Sequence, residues 1–179
     1  MIYLIRHGEA AAGWGDHPDP GLSEAGKKQA TAAAVRLVEL GASSIVTSPM
    51  ARCRETASAL ELSASLTARV EARVSEVETP EGVPDRVAWL KGIMAGNWQD
   101  GGSELLAWRA KTLEAIREMP SGAAVFTHFV AINAIVSALD DDDRAVVFRP
   151  GHCSITILEG EGSELRVSER GGEGITRVL

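Results

Sequence analysis

The predicted fold depends most on one amino-terminal stretch, Met1-Ile2-Tyr3-Leu4-Ile5-Arg6-His7-Gly8-Glu9-Ala10. Its first five residues are mostly apolar, with β-branched and aromatic members, which is typical of a buried strand. A cation, an imidazole and a glycine follow at once. Ligands of open α/β sheets bind beyond the carboxyl ends of parallel strands, so Arg6 and His7 lie where a substrate would bind. By itself, an Arg-His pair after a strand more often lies in a surface turn. Together with other segments of the chain, it becomes a candidate anion-binding site with a nucleophile or base.

Length and composition indicate one soluble domain over residues 1–179 with a sizeable core. The formal net charge of −7 argues against a nucleic-acid partner, because such binding needs a basic face. Two cysteines, Cys53 and Cys153, are too few for a disulfide framework and fit a reducing compartment. No signal peptide or membrane-length apolar run is evident. We therefore predict a cytoplasmic protein with neither nucleic-acid nor membrane partners, as a monomer or homodimer.

Helical and strand patterns alternate along the chain, which indicates an α/β fold. A loop rich in glycine and proline follows the first strand, and its Trp14 and His17 are candidates for substrate contact. Ser23 begins a helix that Gly41 ends, and a strand covers 44–47.

The strand over 44–47 leads directly into another helix. Ser48 is the predicted N-cap and Pro49 the first helical residue. Arg52 then lies in the first turn, where free amides and the helix dipole favour an anion.

A polar and aliphatic connection over 60–73 and two further helices separate this helix from the next strand, over 123–127. That strand again delivers a histidine, His128, at its end, followed by an apolar helix over 130–139. Residues 154–158 and 165–168 read as an antiparallel pair of strands.

Four segments in this order resemble the histidine phosphatase superfamily, also called the phosphoglycerate mutase-like family. They are Leu4-Ile5-Arg6-His7-Gly8-Glu9, Leu22-Ser23-Glu24-Ala25-Gly26 with Gln29-Ala30, Ser48-Pro49-Met50-Ala51-Arg52-Cys53-Arg54-Glu55-Thr56, and Thr127-His128. The resemblance covers nearly the whole chain. It implies a three-layer α/β/α sandwich around a mostly parallel central sheet.

The resemblance also implies covalent phosphohistidine chemistry. By that analogy His7 attacks phosphorus in line, while Arg6, Arg52 and His128 surround the transferring phosphoryl group. Phosphoryl transfer needs mainly positioning and electrostatic stabilisation, which fixed donors supply. No cluster of metal ligands is evident in the sequence, so it predicts neither a metal nor another cofactor.

A general acid is still required to protonate the leaving alkoxide, and then as a base to activate water. Glu76 matches the family's glutamate after an apolar residue and one variable position. Glu78 is an alternative, because the alignment of this segment with the family motif depends on a single apolar residue. Glu9 matches no proton-transfer role in the family. Glu76 would need a raised pKa, which requires burial.

Several departures from the commonest family pattern bear on the substrate. Ala10 stands where many members carry threonine or serine, and Phe129 follows His128 where glycine is frequent. The chain is also shorter than glycolytic mutases. We therefore predict a metal-independent phosphatase that hydrolyses phosphate monoesters of a small metabolite. The alternatives are a phosphohistidine protein phosphatase, a phosphoglycerate mutase-type phosphotransferase and a non-catalytic phosphate-binding protein.

Overall fold

A computed structural model describes residues 1–12 and 17–174. Trp14, a candidate for substrate contact, lies outside these residues. Within them the chain forms β1 (Ile2–Arg6), α1 (Glu24–Glu39), β2 (Ser44–Thr47), α2 (Ala51–Ala64), β3 (Ala68–Val70), α3 (Arg86–Ala95), α4 (Gly102–Arg117), β4 (Ala123–Thr127), α5 (Phe129–Leu139), β5 (Ile155–Glu159) and β6 (Arg166–Glu169). No described helix combines the length and apolarity needed to cross a bilayer.

The strands form one six-stranded sheet in the order β3-β2-β4-β1-β5-β6. The pairs β2–β3, β2–β4 and β1–β4 are parallel, whereas β5 runs antiparallel to both β1 and β6. The predicted antiparallel pair near the carboxyl terminus is therefore confirmed as β5 and β6. The sequence missed β3, which is three residues long and poorly buried.

Both faces of the sheet are covered by other parts of the chain, because β1 and β4 carry apolar side chains on both faces. Tyr3 and Ile5 of β1 pack with Ala34, Leu37 and other buried residues of α1 and α2. On the opposite face the buried cluster consists of Ile2, Leu4, Val46, Val74, Ala115, Ile116, Met119, Ala123, Val125, Ile132, Ile135, Val136, Phe148, Leu158 and Leu165. Strands buried on both sides read as continuous apolar runs, which is why these two were visible in the sequence. The predicted three-layer sandwich is confirmed.

Candidate active site

The register of the parallel strands brings two histidines together. Arg6 of β1 pairs with Thr127 of β4, so the next residue of each strand is a histidine at the same edge of the sheet. The backbone N–H of His7 donates to the carbonyl of Thr127 at 3.0 Å. The imidazole rings of His7 and His128 lie 5.3 Å apart between centroids, with their planes inclined at 62°. Ser48 follows β2 at the same edge.

His7 is a buried neutral imidazole with one ring nitrogen held by a hydrogen bond. Its Nδ1 lies 2.8 Å from the carbonyl oxygen of Gly8, which can only accept, so Nδ1 carries the proton. The lone pair of the ring therefore lies on Nε2. Burial, followed by the positive charges of Arg52 and Arg6, holds the pKa of His7 well below its usual range. The ring thus keeps an available lone pair at neutral pH.

Gly8 lies where two segments of the main chain approach each other closely. A Cβ on Gly8 would lie 2.8 Å from the carbonyl oxygen of Gly26, and a Cβ on Gly26 would lie 2.1 Å from that of Glu9. Neither contact is tolerable, so both positions need glycine. The pair lets the amino-terminal turn of α1 pack directly against the segment that follows His7.

His128 is completely buried and has partners at both ring nitrogens. Its Nε2 lies 2.8 Å from the hydroxyl oxygen of Ser48, and its Nδ1 lies 3.2 Å from Nη2 of Arg52. A guanidinium can only donate, so Nδ1 accepts and Nε2 carries the proton that goes to Ser48. Burial, then electrostatic repulsion from a protonated His7 and from the Arg52 cation, lowers the pKa of His128 well below its usual range. Cys53 also lies beside the ring, with its Sγ 3.4 Å from Nε2, and donates its Sγ proton to the carbonyl of Thr127.

The predicted start of α2 is wrong by two residues. The helix begins at Ala51, so Pro49 is not its first residue and Ser48 is not its N-cap. Instead, the carboxylate of Asp19 accepts from the N–H of Ala51 at 2.9 Å. Ser48 is left to contact His128.

Arg52 does lie in the first turn of α2, as predicted. Its Nη1 is 3.9 Å from the Asp19 carboxylate, and its side chain is largely buried. Its buried Nε has no hydrogen-bond partner within the described part of the chain. A cation with an unsatisfied donor beside two neutral imidazoles is suited to bind an anion.

Arg6 contacts residues that the sequence did not connect with it. Its Nη1 donates to the carbonyl of Pro150 at 2.8 Å, and its Nη2 lies 3.1 Å from Nε2 of His152. Its guanidinium carbon lies 5.3 Å from the centroid of the Phe129 ring. Burial lowers the pKa of Arg6 to about 10, so it remains a cation at neutral pH.

Glu76 is the buried member of the candidate acids. Its Oε2 accepts from the N–H of Val130, near the start of α5, and its Oε1 from that of Val77. Burial raises the pKa of Glu76 although both N–H groups favour the carboxylate. Glu78, in contrast, is exposed, and Glu9 is an exposed residue that accepts from the hydroxyl of Ser23 at 2.6 Å. The geometry therefore favours Glu76 as the acid.

Glu76 lines a cavity of about 520 Å³. Trp89 of α3 and Trp108 of α4 line it, together with the exposed Glu78 and Glu104. The cavity is large enough for the organic part of a small phosphate ester.

The structure thus brings Arg6, His7, Arg52, Glu76 and His128 to one edge of the sheet. The sequence missed His152. The position of His152 in the sequence could have indicated it. The parallel strands end at this edge of the sheet, whereas an antiparallel strand begins there, and His152 lies just before the antiparallel strand β5. Within residues 1–12 and 17–174, no group of three or more His, Cys, Asp or Glu side chains is arranged to hold a metal ion.

Comparison with known protein families decides the family. Residues 2–171 match the histidine phosphatase superfamily, branch 1. The chain belongs to the histidine phosphatase superfamily. The family predicted from the four segments is confirmed, and so is the separate prediction of a phosphatase.

Individual relatives agree with this assignment. The chain is 27% identical to the probable phosphoglycerate mutase GpmB of Escherichia coli over an alignment 162 positions long, and the alignment covers 78% of this chain and 74% of that protein. A mycobacterial glucosyl-3-phosphoglycerate phosphatase, solved with VO3, superimposes with a TM-score of 0.71 at 25% identity and covers 94% of this chain and 96% of its own. The phosphoserine phosphatase of Entamoeba histolytica, solved with 3-phosphoglyceric acid, has the same fold at a TM-score of 0.72 and 18% identity, covering 99% and 98% of the two chains.

Proposed function

We propose that the protein hydrolyses phosphate monoesters of small metabolites, without a metal, through a phosphohistidine formed on His7. The observation that carries the proposal is the bond from Nδ1 of His7 to the carbonyl of Gly8, because it leaves the lone pair on Nε2. A neutral imidazole with a fixed tautomer is a competent nucleophile toward phosphorus.

In the first step the bond between phosphorus and the ester oxygen breaks while a bond from phosphorus to Nε2 of His7 forms. Arg6 and Arg52 neutralise the charge on the non-bridging oxygens. His128 accepts from Arg52 in the free protein, so it has no donor for the phosphoryl group until Nδ1 takes up a proton. An arriving phosphate dianion favours that protonated form, and His128 then becomes a third cation in the site.

Glu76 supplies the proton for the leaving oxygen. Because burial raises its pKa, Glu76 keeps its proton to a higher pH than an ordinary glutamate does. After the alcohol departs, the Glu76 carboxylate takes a proton from water as the water oxygen attacks phosphorus. The bond to Nε2 then breaks, and inorganic phosphate leaves.

Small-molecule ester substrates are supported by the cavity beside Glu76. The alcohol part of the substrate has to meet the acid, and the cavity that Glu76 lines offers it a place. Hydrolysis is favoured over phosphoryl transfer because exposed residues, Glu78 and Glu104, line the same cavity and give water a path.

The test is release of inorganic phosphate from an aryl phosphate, with a chelator present, by the wild-type protein and by His7→Ala. We expect chelator-resistant release that is lost in the variant while its melting temperature shows that it still folds. Equal release by both proteins, or loss of release on adding the chelator, would contradict the proposal.

A further inference from the structure

We propose that His152 and Phe129 are positioning residues for Arg6, and that together they fix the direction in which its guanidinium faces the phosphoryl group. The inference rests on the proposed function, in which Arg6 binds the phosphoryl oxygens. It assigns a task to the phenylalanine that stands where glycine is frequent in the family, and to a histidine outside the four family segments.

The main chain first fixes His152 relative to Arg6. The backbone N–H of Cys153 donates to the carbonyl of Arg6 at 2.9 Å, and the N–H of Arg6 donates to the carbonyl of Ser154 at 3.3 Å. Cys153 itself has a φ of 56°, in the left-handed region that L-residues rarely adopt. A backbone held in such a conformation is kept there by its surroundings, here the two bonds to Arg6. The imidazole of His152 is therefore anchored to the residue that it contacts.

The side chain of His152 then orients one end of the guanidinium. Nε2 of His152 is 3.1 Å from Nη2 of Arg6, and since a guanidinium only donates, this nitrogen must be unprotonated. Burial and the charge of Arg6 lower the pKa of His152 to about 4, so the acceptor form prevails at neutral pH. The other terminal nitrogen donates to the carbonyl of Pro150.

Phe129 restrains the guanidinium from a third direction. Phe129 is 1% exposed, and its ring faces the guanidinium carbon at 5.3 Å. A cation near an aromatic face is attracted by the ring quadrupole, most strongly where water is excluded. Phe129 directly follows His128, so the ring is fixed at the start of α5. A glycine at this position could not make the contact.

The experiment compares His152→Gln, His152→Leu and Phe129→Leu. The amide oxygen of glutamine can accept from Nη2, whereas leucine cannot. We expect His152→Leu and Phe129→Leu each to weaken inorganic phosphate binding, measured by calorimetry, and to lower kcat/KM for an aryl phosphate by roughly ten-fold. His152→Gln should stay within about three-fold of wild type.

A double-mutant cycle separates positioning of Arg6 from a general structural role. In an Arg6→Met background, His152→Leu should cause no further loss of phosphate affinity or kcat/KM. Phe148→Leu is the matched control, because Phe148 is a buried ring that faces another arginine, Arg170, at 5.7 Å. We expect it to lower the melting temperature and leave kcat/KM unchanged.

Equal losses in His152→Gln and His152→Leu, or additive losses in the cycle, would overturn the inference. The outcome is distinct from failure of the proposed function. If the wild-type protein binds phosphate but hydrolyses no ester, the proposed function fails, while the phosphate affinities of the variants still decide whether His152 and Phe129 position Arg6.

Discussion

His7 and His128 occupy equivalent places at the ends of neighbouring parallel strands, yet their hydrogen bonds leave them in opposite tautomers. The Nδ1 proton of His7 goes to a backbone carbonyl, which leaves the lone pair on Nε2. The Nε2 proton of His128 goes to Ser48, and its Nδ1 accepts from Arg52. The comparison teaches that the partner of one ring nitrogen determines what the other can do. It predicts a nucleophile at His7 and a charge-balancing residue at His128.

The largest effect should separate the two histidines. We expect His7→Ala to lower kcat for an aryl phosphate by roughly 10⁴-fold or more, because no nucleophile remains. His128→Ala should slow turnover less and should still form a phosphoenzyme, detectable by mass spectrometry after an alkaline quench. A phosphoenzyme in His7→Ala would reverse the two roles.

Glu76→Gln tests the acid that serves the nucleophile. The variant cannot protonate a leaving alkoxide, so kcat for an unactivated alkyl phosphate should fall by about 10²- to 10³-fold. A nitrophenyl ester needs no proton, and its initial burst of nitrophenol should persist. Glu78→Gln is the matched control and should retain both activities. Full activity of Glu76→Gln on the alkyl ester would refute the assignment.

The low pKa of His128 should make the free energy of unfolding depend on pH. In the unfolded chain the imidazole gains its proton near its ordinary pKa of about 6.5, whereas in the fold it stays neutral to well below that pH. The unfolded state therefore binds more protons as the pH falls below 6.5, and this residue's contribution to stability is lost. Replacing it with glutamine should reduce the loss in unfolding free energy between pH 7 and pH 5 by about 2 kcal/mol.

Urea unfolding of wild type and His128→Gln at these two pH values measures the difference. Glu76 acts in the opposite direction, because its raised pKa lets the folded state take up a proton first. Since Glu76 is present in both proteins, its effect cancels in the comparison to first order. An identical pH dependence of the two proteins would show that His128 is not held neutral.

Ser48→Ala should give the smallest effect. It removes the partner of Nε2 of His128 and frees the ring to change tautomer, so kcat/KM for an aryl phosphate should fall by about five-fold. Ser75→Ala is a suitable control, since the Ser75 hydroxyl lies 3.4 Å from the Ser48 hydroxyl. A loss as large as that of His128→Ala would mean that Ser48 itself contacts the substrate.

The sequence predicted the strand ends well because the signal there is local. β1 and β4 are apolar runs buried on both faces, and each changes abruptly to a histidine. The start of α2 was not predictable in this way, because the carboxylate that accepts from its first N–H belongs to Asp19, 32 residues before Ala51 in the chain. The contact between Arg6 and His152 spans 146 residues. Burial, which a sequence does not show, is what distinguishes Glu76 from Glu78.

The most direct test of the central claim is to identify the ring nitrogen that carries the phosphoryl group. The protein would be trapped with an activated phosphate ester under alkaline conditions and examined by phosphorus NMR, with the modified peptide located by mass spectrometry. We expect a single phosphohistidine at His7, attached through Nε2. Attachment through Nδ1, or to His128, or turnover without a phosphoenzyme would contradict it.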